Sequence, residues 1–321
     1  MAPEVTVEID GQYRALREAA GVVERSGRGK LLLAGGDAAE YLQGQLTNDV
    51  EALEPTTGCY AALLDRKGHM QADMRVLRMD DGGFWLDTEP QATAAAERHL
   101  RMYSIGREVE IDDVSGAWTI VSLIGPAAVE IAECGPVAPE HAHRRCDRRG
   151  IELRAVATDL GVDAIVQSAR VDELRESLAE SGAVDVTEDA AEIVRVESGR
   201  PRFGREMTTS TIPQEAGIDD RAVSFTKGCY IGQETVARLH YRGKPNRHLR
   251  GLRLDASVAG GDEIRFGDRA VGRVGTAVVS PALGSIALAV VRREAEPGSR
   301  VEVGGDAIGA EVVELPFTNS N

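Results

Sequence analysis

Hydrophobic and polar positions change rhythm along this chain, and each rhythm predicts a different kind of element. In the first third, short strands alternate with helices. "LLLAGGDAAEYLQ" predicts a strand, a glycine turn and a helix capped by Asp37. "YAALLDRKGHMQADMRVLRMDDGGFWLDTE" predicts three strands joined by turns at Lys67-Gly68 and Asp81–Gly83. Helix formers fill "PQATAAAERHLRMYSI", with Pro90 at the predicted start. From near Trp118, "WTIVSLIG", "IELRAVATD" and "DAIVQSA" read as strands and "PAAVEIAEC" as a helix. "VDELRESLAESG" is amphipathic, with Val171, Leu174 and Leu178 on one face and Gly182 as its stop. After Leu249, helical patterns give way to short β-rich runs broken by Gly, Asp and Pro, which predict a small sandwich or barrel. The fold class expected from this mixture is α+β.

Composition narrows the functional classes. A chain of 321 residues exceeds one ordinary core, so two or three domains are expected. A net charge of −15 argues against a nucleic-acid partner, which needs clustered Lys and Arg. No apolar run is long enough to span a membrane, and "MAPEVTVEIDG" lacks the regions of a signal peptide, so the expected location is cytoplasmic with no membrane partner. The four cysteines, Cys59, Cys134, Cys146 and Cys229, form no CxxC pair, so neither a disulfide framework nor a standard zinc site is expected.

Several segments carry candidate chemistry. In "FTKGCYIGQETVAR", Phe225 to Arg238, Val223–Phe225 reads as a strand end and "IGQETVARL" as a helix start. Cys229 would then lie at or just before a helix N-terminus, with Lys227 on the same side of an extended segment. Both effects favour a thiolate, against the alternative of a small packed residue beside a solvated lysine. Asp73, among apolar strand residues, is either a buried carboxylate fit for proton transfer or the outward residue of an alternating strand. Glu197 and Glu206 flank a Gly/Pro-rich turn, suited to a heterocycle with adjacent N–H donors or simply exposed. Cys134, His141, His143 and Cys146 match no common zinc spacing and read as an exposed linker, so no metal is assigned. Neither GxGxxG nor GxxxxGK[ST] is present.

"KGCYIGQETVAR" resembles the signature of the YgfZ-type folate-binding proteins, relatives of the glycine-cleavage T-protein (aminomethyltransferase). "YLQGQLTNDV", "LLDRKGHMQADMRVLR", "VRVESGRPRFGREM" with "TIPQEAGID", and "VGTAVVSPALGSIALAVVR" resemble further segments of that family in the same order. The resemblance implies a three-domain cloverleaf: two ferredoxin-like α/β layers and a C-terminal barrel around a central tetrahydrofolate site. It implies an N-terminal part of the folate module over 1-115, a second α+β unit over 116-190, a folate-site segment returning to the first module over 191-248, and the barrel over 249-321. Glu197 would meet the pterin, with Glu206, Gln233 and Arg238 also on the cofactor, either tetrahydrofolate or a one-carbon derivative. Cys229, Lys227 and Asp73 would carry the chemistry. Phe203 stands where the T-protein has tyrosine, and Ala72 where it has the first acid of an Asp pair. The implied function is assembly or repair of iron–sulfur clusters, with client enzymes or assembly proteins as partners. Whether the chain is an enzyme stays open: the alternatives are folate-dependent aminomethyl transfer and a non-catalytic folate-binding scaffold.

Overall fold

The computed structural model describes residues 7–318, which form three lobes. Helix α1 (Val7–Glu18) and strand β1 (Gly21–Glu24) come first, then β2 (Gly29–Ala34), α2 (Ala38–Gln45), β3 (Gly58–Leu64), β4 (Met70–Arg78), β5 (Phe84–Thr88), α3 (Pro90–Tyr103) and β6 (Glu110–Asp113). The middle of the chain supplies β7 (Trp118–Ile124), α4 (Ala128–Ala132), β8 (His143–Arg148), β9 (Ile151–Ala157), β10 (Gly161–Gln167), α5 (Val171–Glu180), β11 (Val184–Asp185) and α6 (Glu188–Glu197). Two helices, α7 (Asp219–Ala222) and α8 (Gln233–Arg242), precede β12 (Arg247–Leu254), β13 (Glu263–Phe266), β14 (Arg269–Ser280), β15 (Gly284–Arg292), β16 (Arg300–Val303) and β17 (Ile308–Val313). The first lobe is a five-stranded sheet in the order β3-β4-β5-β2-β6, and the second a six-stranded sheet in the order β11-β1-β7-β10-β9-β8. The third is a closed barrel, β12-β15-β14-β13-β16-β17. This is the α+β architecture that the sequence patterns predict, with the terminal barrel that the family resemblance implies.

Period-two alternation explains how the lobes meet. On β4, Ala72, Met74 and Val76 face an apolar core shared with α2 and α3. The other face of that sheet carries Arg75 and Leu77, in register with Asp87 and Trp85 of β5. The second sheet presents Asp163 and Ile165 of β10, in register with Ser122 and Ile120 of β7. These two faces pack together. Leu77, Trp85, Ile120, Val156 and Ile165 form one apolar layer between the sheets. Beside it lies a charged layer, in which Arg75 donates to Asp87 at 2.8 Å and to Asp163 at 2.6 Å. No helix among the described residues is long and apolar enough to cross a membrane.

Four local readings need correction. Asp37 occupies the position before α2, but its carboxylate accepts the Glu108 N–H at 2.8 Å and makes no cap bond. The segment from Cys134 to Arg149 is not an exposed linker: Cys134 is buried, and His143–Arg148 forms the edge strand β8. Cys134 and Cys146 are joined by a disulfide, a pairing that linear spacing does not reveal because strand β8 folds back beside α4. Val223–Phe225 is not a strand end; this stretch leaves α7 as irregular chain.

Arg75 and Asp87 are almost wholly buried, and Asp163 nearly so. Removing the guanidinium leaves Asp163 without its cation and Asp87 with Arg28 alone. Arg75→Ala should therefore lower the stability to urea unfolding by about 3–5 kcal/mol, read as a shift in the denaturation midpoint. An effect below about 1 kcal/mol would show the pair behaving like a surface salt bridge.

Candidate functional site

Where the lobes converge, charged side chains form a continuous chain. Arg28 donates to Asp87 at 2.9 Å and Glu89 at 2.5 Å. Arg202 pairs with Glu89 at 3.2 Å and Glu192 at 2.6 Å. Arg195 then links Glu192, Glu206 and Thr276 of the barrel at 2.8, 3.1 and 2.8 Å. Burial opposes ionisation of Asp87, but Arg75 and Arg28 hold its carboxyl below the ordinary value.

Asp73 lies at one side of this junction, on the β4 face that looks toward the second sheet. Tyr60 Oη donates to Asp73 Oδ2 at 2.7 Å, while Oδ1 is buried without a partner. Burial raises the Asp73 pKa; the Tyr60 hydrogen bond opposes the rise, and Glu89 reinforces it. Arg221 lies 5.5 Å from the centre of the Tyr60 ring and donates to Glu140 at 2.5 Å. Glu140 in turn stands 3.7 Å from His141 Nε2. Burial, aided by Arg75, pulls His141 down to about 4. Asp73 Oδ1, Arg75 Nη2, His141 Nδ1 and Glu206 Oε1 are all buried without protein partners. Native interiors rarely leave such groups unmatched, which makes this junction a candidate place for a polar ligand.

The sequence motif of Lys227 and Cys229 takes a different form from the one expected. The Lys227 ammonium donates to the carbonyls of Gln43, Leu46 and Asn48 at 2.7, 2.8 and 2.7 Å. It thus closes the C-terminal end of α2, where carbonyls lack helical partners and a cation is favoured. Burial lowers its pKa to about 8. Its hydrogen bonds do not reach Cys229, whose exposed Sγ instead receives the Gln233 amide at 3.6 Å. Gln233 also accepts the Tyr230 N–H at 2.9 Å, so it shapes the loop that carries the thiol. Helix α8 begins at Gln233, after Gly232 at φ 84°, where an added Cβ would meet the Asp65 carbonyl at 2.4 Å. Cys229 therefore precedes the helix by a full turn. Cys59, the other free cysteine, is half-buried, and burial pushes its thiol up to about 12.

The two glutamates also separate. Glu197 ends α6 with its carboxylate already bonded: Oε1 accepts from Tyr13 at 3.0 Å and Ser280 at 2.5 Å, and Arg17 stands 3.9 Å from Oε2. It ties α1 and α6 to the barrel. Glu206 accepts the Arg202 N–H at 2.9 Å through Oε2 and keeps Oε1 unmatched. Arg238 is exposed on α8. Sequence reasoning missed Tyr60, His141 and the four central arginines. Tyr60 was within reach of alternation, because β3 and β4 place it diagonally from Asp73. His141 lay in a segment read as linker, and apart from the adjacent Glu140 the charged groups around it, Arg75, Asp87 and Arg221, come from distant elements.

Taken together, the class is a three-lobed α+β protein with a buried polar junction and a separate exposed-thiol loop. The GCVT N-terminal domain model matches residues 3–227 and the glycine cleavage T-protein C-terminal barrel domain model matches residues 247–319. The chain belongs to the glycine cleavage T-protein family. It is 27% identical over 329 residues to an aminomethyltransferase of Exiguobacterium sibiricum, covering 98% of this chain and 91% of that protein. An uncharacterized protein of Haemophilus influenzae is 31% identical over 217 residues, 67% of each chain. The crystal structure of glycine cleavage system aminomethyltransferase T from Bartonella henselae matches with a TM-score of 0.86 at 20% identity, over 99% of this chain and 91% of that one.

Two measurements check this geometry. Lys227→Met strands the carbonyls that end α2 and should destabilise the fold by about 2 kcal/mol, seen in the urea midpoint; unchanged stability would show the cap to be dispensable. His141 has a folded pKa near 4 against an ordinary 6.5, so the unfolded chain binds the extra proton between those values. Stability that His141 contributes is present above pH 6.5 and is lost as pH falls toward 4. In His141→Gln, the slope of stability against pH over that window should flatten by roughly 1.4 kcal/mol per pH unit.

Proposed function

We propose that this protein binds tetrahydrofolate at the central junction and acts, like the YgfZ-type proteins it resembles, in assembly or repair of iron–sulfur clusters in client enzymes. The observation that carries the folate reading is the set of unmatched buried atoms: acceptors on Asp73 and Glu206, a donor on Arg75 and a ring nitrogen on His141. A pterin offers adjacent N–H donors and a carbonyl, and its glutamate tail offers carboxylates, so the donor and acceptor types fit. Asp73 and Glu206 would hold the ring, and exposed Arg238 is the cation assigned to the tail. Tetrahydrofolate, when bound, supplies a carrier for one-carbon units.

Cys229 is the proposed thiol for the client or its cluster, because it is exposed, free and held on a loop shaped by Gln233. Lys227 serves this role by positioning the loop through α2 rather than by touching sulfur. Among the described residues no group of three or more His, Cys, Asp or Glu could hold a metal, so a cluster would be cargo shared with a partner chain. Ala72 lies in the apolar core beneath the sheet, which leaves Asp73 as the single acid of that pair. This disfavours aminomethyl transfer, the reading suggested by relatives named for that activity.

Calorimetric titration with tetrahydrofolate should give saturable binding, weakened tenfold or more in Glu206→Gln and Asp73→Asn. Glu197→Gln should lower stability while leaving affinity nearly unchanged. Cys229→Ser should bind folate normally yet fail to restore cluster-enzyme activity in a deletion strain. Full restoration would exclude the thiol, and absence of saturable binding would sink the folate reading. Formation of methylene-tetrahydrofolate from an aminomethylated lipoyl carrier at enzyme-like rates would favour the transferase instead.

A further inference from the structure

Beyond the charged and apolar layers, the two facing sheets border a cavity of about 1150 Å³. Strand register traces its wall on the interface side. On the first sheet, Leu32 and Leu77 both pair with Trp85, and Met79 follows Leu77 by two residues, so all four face the second sheet. On the second, Trp118 pairs with Gln167 and Ile165 with Arg154. Leu32, Met79, Trp85, Trp118 and Ile165 pack as one apolar layer; Trp85 and Ile165 are buried, while Leu32, Met79 and Trp118 are only half-buried. Trp85 meets Trp118 edge to face, with ring centres 6.2 Å apart, and Trp118 is the aromatic surface left partly open. Arg78 lines the cavity from the opposite face of β4, over the Phe84 ring and on the Leu53 carbonyl, and takes no part in this wall.

Carboxylates share this wall with Trp118. Glu152 precedes Arg154 by two residues on β9 and pairs with Asp147 of β8, so both lie on the sheet face that carries Trp118. Glu152 falls level with Gln167, the register partner of Trp118, and so stands two strands, about 10 Å, from the tryptophan. Asp81 borders the cavity from the first sheet. The guanidiniums on this side are already engaged: Arg145 and Arg154 both bond Asp80, at 3.1 and 2.8 Å. Asp81, Asp147 and Glu152 are exposed and form no salt bridge among the described residues. Turn N–H groups fix two of them, Gly83 on Asp81 at 3.0 Å and Gly150 on Asp147 at 2.9 Å. An indole face attracts a cation through its quadrupole, and carboxylates without counter-ions attract one by charge. Both features select the same sign of ligand.

We propose that this recess binds a small organic cation, an ammonium on an apolar body. The body lies against Leu32, Met79 and Trp118, and the charge sits between the Trp118 ring and Glu152. The proposal stands independently of folate binding at the junction. Both tryptophans of the chain line the cavity, so intrinsic fluorescence reports on it directly. Titration with benzylammonium should change that emission saturably. Benzyl alcohol, its uncharged analogue, should bind roughly tenfold more weakly, and benzoate more weakly still. In a double variant, Glu152→Gln with Asp147→Asn, amine affinity should fall toward that of the alcohol while alcohol binding stays unchanged. Equal binding of amine and alcohol by the wild-type protein overturns the proposal whether or not the variant folds. So does the absence of a saturable change, or an amine preference retained in full by the folded double variant. Displacement of the probe by tetrahydrofolate also overturns it, by placing the probe at the central junction.

Discussion

One guanidinium, that of Arg75, joins the two sheets by holding Asp87 of its own sheet and Asp163 of the facing one. Around it, Arg28, Arg202 and Arg195 extend the pairing until it reaches Thr276 in the barrel. Desolvating so many charges is costly, and an apolar interface of equal shape could be as stable. What the charges add is register: each guanidinium fork accepts few arrangements of its carboxylates, so the lobes meet in one relation. The same charges hold the junction polar. A site for a polar ligand thus arises from the elements that assemble the molecule.

Much of the architecture is legible in the sequence because it follows from local rhythm. The three strands from Gly58 to Thr88, the helix begun by Pro90 and the β-rich C-terminal part all form as their alternation and turn residues predict. Family resemblance supplied the barrel and the three-lobed plan. The site was harder to read because its meaning lies in contacts between distant residues. Asp73 illustrates this: alternation places it on the outward face of β4, and that outward face is covered by another sheet. Asp73 is thus both the outward residue of an alternating strand and a buried carboxylate. Glu197 finds Tyr13 and Ser280, and Lys227 finds the end of α2, at separations no local pattern can encode. The Cys134–Cys146 disulfide, only 12 residues apart in sequence, goes unread because the segment between its cysteines reads as an exposed linker rather than as a turn into strand β8.

The sheet-to-sheet interface is graded from ionic to apolar to hollow, and one residue touches every zone. Trp85 donates its indole N–H to Asp87 at 3.3 Å, packs within the apolar layer and lines a cavity of about 1150 Å³ beyond it. The β5 alternation that sends Trp85 and Asp87 to the same face is what makes this possible. The charged and apolar layers therefore share a side chain.

Strand β1 sits in the second lobe between β7 and β11, although the chain then leaves to build the first. This order has a consequence for synthesis. Gly21 pairs with Val184, so β1 emerges from the ribosome about 160 residues before its last neighbour exists. At typical elongation rates it waits roughly 10–30 s with an unpaired edge exposed. During that interval the nascent chain carries "GVVE", three of whose residues end up buried, beside an amphipathic helix whose partner α6 is also still to come. The order of these elements thus leaves β1 long uncovered, and the newborn chain is open to rescue or misassembly there.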